Sequence, residues 1–188
     1  MKPYEAPSTE LPITVRELFD ALPPLPGLRV EVIEGNMRVS PMGTPKHQLI
    51  ASLLYELMIP ARLKHSWVSY AGVGVCIDGP RDALVPDYVL APRGCPLWGN
   101  ELSSSGVIMV AEVVSPSSIH EDRDRKPRLY ATGGIPVCLV IDPIANTATV
   151  YSDIVDDAYQ TTVTQHLGTT LRLPEPVDFE LDTAELTD

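Results

Sequence analysis

The chain has 188 residues, enough for one domain with a proper core and too short for two comfortable ones. With 44% apolar and 21% charged residues it has the composition of an ordinary globular protein, and a net charge of −11 argues against a broad basic surface for nucleic acid. No apolar run approaches the ~20 residues of a membrane span. The N-terminal MKPYEAPSTELP lacks the apolar core of a secretory signal, so a cytoplasmic protein with no membrane contact is expected.

The charge is uneven. From Ser152 onward there are nine acids and one base, against 16 acids and 13 bases before it, so most of the excess belongs to the C-terminal part. Three cysteines, Cys76, Cys95 and Cys138, form no CxxC pair and suggest neither a disulfide framework nor a zinc site. Cys76 and Cys138 lie in strand-like runs and read as small core residues.

Residues 1–13 read as an irregular lead-in. Thr14 and Glu17 have capping-box spacing and start a short helix that ends before Pro23-Pro24. Two strands, 29–33 and 37–40, meet at Glu34-Gly35-Asn36 as a hairpin. A helix from His47 to about Leu63 follows, with Leu49, Ile50, Leu53, Leu54, Leu57, Met58 and Ala61 on one face and Pro60 kinking its last turn.

Strands are expected at 67–71, 73–77, 86–91 and 107–114, with a long loop, PRGCPLWGNELSSSG, before the last of them. A short helix around Lys126 ends at Gly133-Gly134. Strands at 137–141 and 148–151 flank an Asp142-Pro143 turn, 159–165 and 169–173 read as a final hairpin, and 174–188 read as an acidic tail. The pattern is one α/β (α+β) domain with a mixed sheet, more strand than helix and two main helices.

The chemistry centres on VIMVAEVV, a buried strand interrupted by Glu112. A carboxylate there costs several kcal/mol or more unless it is paired or binds a cation. Asp87 opens the preceding strand. If the two strands are neighbours, their carboxylates can hold Mg²⁺ or Mn²⁺ through oxygen ligands, and a nearby ammonium can stabilise charge on a phosphate or orient water.

Lys126 is the nearest lysine, but Pro127 disfavours helical geometry at it. That places Asp124 as the helix N-cap, with Asp122 outside the helix. Glu31 alternates with Val30 and Val32, which leaves it on either face of its strand, and His47 opens the long helix. Tyr130 reads as packing, and Arg123, Arg125 and Arg128 as a basic patch on which a phosphate backbone could dock.

Pro86-Asp87, 24 intervening residues and Glu112-Val113-Val114 resemble the PD-(D/E)xK nuclease pattern with Val114 at the lysine position. The ordered series Glu31-Val-Ile-Glu-Gly35, Ser40-Pro41, His47, Pro86-Asp87, Glu112-Val-Val-Ser-Pro116, Asp122, Lys126, Tyr130, Gly134-Ile135-Pro136 and the Val-Ile-Asp-Pro ending at Pro143 resembles the Uma-two family of that superfamily, grouped with restriction endonucleases. The departure is Cys138-Leu139, where the family has an aromatic and Trp.

The resemblance implies a single restriction-endonuclease-like domain over 1–188, a mixed β-sheet core flanked by helices with extra N-terminal and C-terminal strands. It implies Asp87 and Glu112 as ligands of Mg²⁺ (or Mn²⁺), Lys126 in place of the missing strand lysine, and Glu31 and His47 at the rim. The expected function is a Mg²⁺-dependent endonuclease acting on DNA, with low affinity given the acidic charge, as a homodimer. The alternatives are a non-catalytic binding or regulatory module on the nuclease fold and a hydrolase of a small phosphorylated molecule.

Overall fold

The computed structural model describes residues 14–187; the lead-in expected at 1–13 and the terminal Asp188 lie outside the described residues. Helix α1 (Val15–Asp20) starts on the capping box, with Thr14 and Glu17 each accepting the other's backbone N–H. Strands β1 (Leu28–Ile33) and β2 (Asn36–Pro41) pair antiparallel across Glu34-Gly35. Both turn residues have positive φ, +50° and +69°, which matches the twist of a two-residue hairpin.

The expected long helix is two helices, α2 (Pro45–Leu57) and α3 (Ile59–Lys64), broken at Met58. Pro60 sits in the first turn of α3, because it cannot donate to the preceding turn and restricts Ile59. Next come β3 (Val68–Tyr70), β4 (Val75–Cys76), β5 (Ala83–Leu84) and β6 (Tyr88–Ala91). The stretch expected as a loop at 92–106 contains a small hairpin, β7 (Leu97–Trp98) and β8 (Glu101–Ser103). Strands that short carry too little periodicity to be read from sequence.

Strand β9 (Met109–Val113) leads through a π-helical turn (Glu121–Arg125) into α4 (Lys126–Thr132), then β10 (Val137–Asp142), β11 (Thr147–Val155) and β12 (Ala158–His166). β12 pairs with β11. β13 (Thr170–Leu173) pairs instead with β14 (Phe179–Asp182), so the expected final hairpin of 159–165 with 169–173 does not form. The stretch expected as an acidic tail carries β14, and Val177, Leu181 and Leu186 within it are buried. Its acids alternate outward while its apolar residues close the core.

One sheet runs β12-β11-β10-β9-β6-β3, with β9 and β10 parallel across α4 and its other pairs antiparallel; a second runs β2-β1-β5-β4-β8-β7. The central strands of the first sheet, β6, β9 and β10, are covered on both faces, whereas its edge strand β12 is mostly exposed. Met109, Ala111 and Val113 of β9 pack with Ile50, Leu54 and Met58 of α2 and its C-cap, whereas Val110 and Val114 pack with α4 and the second sheet. The alternation of a strand therefore sends Glu112 into the layer between the first sheet, α4 and β1.

Candidate active site

β6 and β9 are antiparallel neighbours, with Tyr88 opposite Ala111, so Asp87 at the foot of β6 lies level with Glu112. Asp87 is 8% exposed and fully engaged. Its Oδ1 accepts from Arg29 at 2.7 Å, and its Oδ2 accepts from the Val113 amide at 2.8 Å and lies 3.0 Å from His47 Nε2. Burial alone would raise its pKa, but the His47 hydrogen bond and the Arg29 charge outweigh that and hold it down to about 2.

Glu112 is wholly buried. Its Oε1 accepts the Tyr130 hydroxyl and lies 3.3 Å from Lys126 Nζ, while its Oε2 is buried with no hydrogen-bond partner among the described residues. Burial pushes its pKa well up; Lys126 opposes this, and the nearby Asp122, Asp87 and Glu31 add to it.

Lys126, 2% exposed, is ringed by Glu31 Oε1 at 3.1 Å, Asp122 Oδ1 at 3.2 Å and Glu112 Oε1. Burial works against its charge, but the three carboxylates prevail and raise its pKa, so the ammonium stays protonated. The other oxygen of Asp122, Oδ2, accepts the Ser118 hydroxyl. Glu31 Oε1 also accepts the Val85 amide at 2.8 Å, and Glu31 is buried on a strand flanked by β2 and β5. The edge-strand, solvent-facing option for Glu31 is therefore the wrong one.

Three expectations are corrected here. Asp124 is not an N-cap: the chain is helical from Glu121 onward, and Lys126 itself has φ −62° and ψ −42°. Pro127 has no N–H for the Arg123 carbonyl and its ring would strike that carbonyl in a regular turn. The wider π turn accommodates the ring, and the Arg123 carbonyl accepts from the Tyr151 hydroxyl instead, at 3.4 Å. Tyr130 is more than packing, since its hydroxyl serves Glu112. The basic patch is solvated only in part: Arg123 pairs with Asp142 at 2.5 Å and Arg125 lies 3.9 Å from both Glu34 and Glu121, while Arg128 is exposed.

All five predicted residues, Asp87, Glu112, Lys126, Glu31 and His47, thus come together. Arg29 and Asp122 complete the network and were not singled out for a role. The signal for Arg29 was its place two residues before Glu31, on the same face of β1.

A cavity of about 430 Å³ opens beside the network, between the β1–β2 hairpin and the 115–122 segment. Arg29, Glu31, His47 and Lys126 line it; Asp87 and Glu112 lie directly behind them. The Glu112 Oε2, without a partner among the described residues, suits a hard cation, and Asp87 Oδ1 keeps a lone pair beyond its bond from Arg29, whereas Oδ2 already accepts twice. Among the described residues no group of three or more His, Cys, Asp or Glu is gathered for a metal. What the network offers a cation is at most the two carboxylates of Asp87 and Glu112, so water or substrate oxygens would have to complete its coordination.

Among the described residues no helix is long and apolar enough to cross a membrane. No curated protein matches the chain significantly. The fold is similar to the crystal structure of a "putative nuclease belonging to DUF820" from Anabaena variabilis ATCC 29413, with a TM-score of 0.72 and 20% identity over 93% of this chain and 97% of that one. That likeness is one of fold. The chain also matches, over residues 16–184, the family model described as "Putative restriction endonuclease", and it belongs to that Uma2 family.

Proposed function

We propose that the protein is a Mg²⁺- (or Mn²⁺-) dependent endonuclease that hydrolyses DNA phosphodiester bonds. The observation that carries this reading is the pairing of Asp87 and Glu112 on neighbouring strands with a buried ammonium, Lys126 Nζ, 3.3 Å from Glu112. Membership of a family of restriction-endonuclease type agrees with it. Asp87 and Glu112 would hold the ion, which when bound would polarise a phosphoryl oxygen and acidify a water.

The chain's own groups have separable tasks. Lys126 is held protonated by three carboxylates, so it serves as a fixed positive charge for the phosphate or as a donor that orients the attacking water, and not as a base. Glu31 and Asp122 position that lysine. His47 and Arg29 hold Asp87 in its ionised form. A homodimer would present two such sites to two strands.

The test is cleavage of DNA substrates with Mg²⁺ or Mn²⁺ by the wild type and Glu112→Gln, with metal binding followed by calorimetry. Metal-dependent cleavage lost with Glu112→Gln supports the reading. Absence of cleavage across DNA forms and both metals sinks it.

A non-catalytic binding module is the second reading, favoured by the position of both carboxylates behind a wall of resident side chains. Micromolar Mg²⁺ binding abolished by Glu112→Gln would count against it. Turnover of nucleotides without turnover of polymer would point to a small-molecule hydrolase instead.

A further inference from the structure

The outer strands of the two larger sheets, β12 and β3 of the first and β2 and β7 of the second, are protected unequally. β3 and β7 have three and two residues, too short to template another strand. β2 carries Arg38, which Glu121 holds at 2.7 Å, and ends at Pro41. Charge, proline and shortness are the devices that keep an edge from pairing with another chain. β12 has none of them.

Its nine residues, AYQTTVTQH, include no proline, glycine, lysine, arginine or carboxylate. Tyr159 is half-buried and the other eight are exposed, Val163 at 42%. Among the described residues β12 has one strand neighbour, β11, so every second residue turns its N–H and C=O outward. Its three threonines, Val163 and Tyr159 are residue types that favour extended backbone and pack well across a strand pair. The strand is long, formed in advance and open along one side.

Charge decides what can cover it. The chain carries a net charge of −11, so two copies repel, and the contact least opposed is one that sets no carboxylates against each other. A two-fold antiparallel pairing of β12 with itself meets that condition. With Thr162 at the axis, Thr161 lies opposite Val163 of the second copy, Gln160 opposite Thr164 and Tyr159 opposite Gln165. Such polar and β-branched pairs are those that stabilise a ladder. The ends fit as well. The acidic turn Asp156-Asp157 falls beside His166 of the other copy and not against its own twin. A strand from an unrelated protein would find no charge on β12 by which to be selected.

We infer that β12 is the interface of a homodimer, in which two copies pair antiparallel along this edge about a two-fold axis at Thr162 and join their first sheets into one. Outward main-chain hydrogen bonds supply the affinity, as in other cases of strand addition. The contact uses the same edge on both copies and therefore closes at the dimer. This names the face of the homodimer expected above and rests on nothing in the nuclease chemistry.

The test is sedimentation velocity of the full chain in EDTA at a series of micromolar concentrations. The wild type is expected to sediment as a dimer. Thr162→Lys sets two ammonium groups opposite each other and is expected to sediment as a monomer with an unchanged circular dichroism spectrum. Thr162→Cys supplies a second readout. Directly opposed residues have Cβ atoms ~4.5–5.5 Å apart, close to disulfide reach. The native Cys76, Cys95 and Cys138 are buried, so an introduced thiol reports alone. With copper–phenanthroline Thr162→Cys is expected to form a disulfide-linked dimer, whereas Leu97→Cys, on the exposed β7, is not.

A wild type that is monomeric at every concentration, a dimer that survives Thr162→Lys, or cross-linking of Leu97→Cys as fast as of Thr162→Cys overturns the inference. Cleavage in Mg²⁺ is read separately on the same samples. A dimer that cleaves no DNA leaves this inference standing and removes the nuclease reading. A monomer that cleaves DNA does the reverse.

Discussion

At the scale of single residues, the network holds more carboxylate than its cations offset, and that excess should be measurable. Glu112 contributes a buried acid whose Oε2 has no partner, beside Asp122 and Glu31. Glu112→Gln removes one charge yet leaves Lys126 two carboxylates, so the variant is expected to unfold at an equal or higher urea concentration than the wild type while losing metal binding. A lower midpoint would show that the Lys126–Glu112 pair is a net stabiliser. Lys126→Ala is the opposite case. It leaves three buried carboxylates without their ammonium and is expected to cost ~3–5 kcal/mol at neutral pH, with cleavage gone and metal affinity at least retained in the folded fraction. If cleavage survives, the role given to Lys126 is wrong.

Asp87 provides a pH signature. Its folded pKa, about 2, lies below the ordinary aspartate value of 3.8, so its contribution is fully present above that value and is lost as pH falls through about 2. A shift of that size corresponds to about 2 kcal/mol. Asp87→Asn is therefore expected to be about 2 kcal/mol less stable than the wild type at pH 6, with the gap closing between about pH 4 and pH 2. A gap independent of pH in urea melts would mean that ionisation of Asp87 is not what stabilises it. Asp87, Glu112 and Lys126 were legible in the sequence as candidates, Glu112 as an acid in a core strand, Asp87 as an acid behind a proline, and Lys126 as the nearest lysine in the ordered motif series. Arg29 carries no such mark, which is why it escaped.

At the scale of elements, α4 and the turn before it set the reach of the lysine. Pro127 removes a hydrogen bond from the regular helix and the π turn absorbs the misfit, which keeps Lys126 helical and four residues from Asp122. Pro127→Ala allows the turn to tighten to α-helical geometry and shift the Nζ. It is expected to lower cleavage by up to about 100-fold, the cost of an ångström-scale misplacement, with a circular dichroism spectrum and melting temperature close to the wild type. Unchanged cleavage would mean that the π turn does not position the lysine. The β13–β14 hairpin is equally specific: Leu181 is fully buried against the layer containing α2, so Leu181→Ala is expected to cost ~2–5 kcal/mol in a chemical melt. An acidic tail without structure would show no change. The sequence marks a strand at 169–173 but with the wrong partner, because the four residues of β14 are too few to show a period of their own.

At the scale of the whole molecule, the central strands of the first sheet are buried on both faces while the second sheet forms one wall of the cavity with its first hairpin. The candidate site lies at the seam between them, and Arg29, Arg38 and Lys126 at its cavity are each paired with a carboxylate. Any DNA binding through this face is therefore expected to depend little on salt, with a slope in log K against log salt no steeper than about −2, by the ~0.7 counterions released per phosphate contact. A steeper slope would place the binding on another face of the chain.

By itself the sequence determined the elements with strong periodicity, the capped helix α1, the β1–β2 hairpin, α2 and the central strands, because each is written in residues close together in the chain. It also determined the five residues that meet at the site, through an ordered series of motifs. What only the tertiary structure decided was how those residues meet. Glu31, Glu112, Asp122 and Lys126 come from separate elements, and nothing local states that one ammonium answers three carboxylates, that Arg29 holds Asp87, or that Tyr130 serves Glu112. The reach of Lys126, uncertain from Pro127 alone, was settled by a π turn whose lost hydrogen bond is made up by Tyr151 from a strand 28 residues away. Long-range burial sets those pairings, because an ion inside a core has to find its partner wherever the packed sheets bring one.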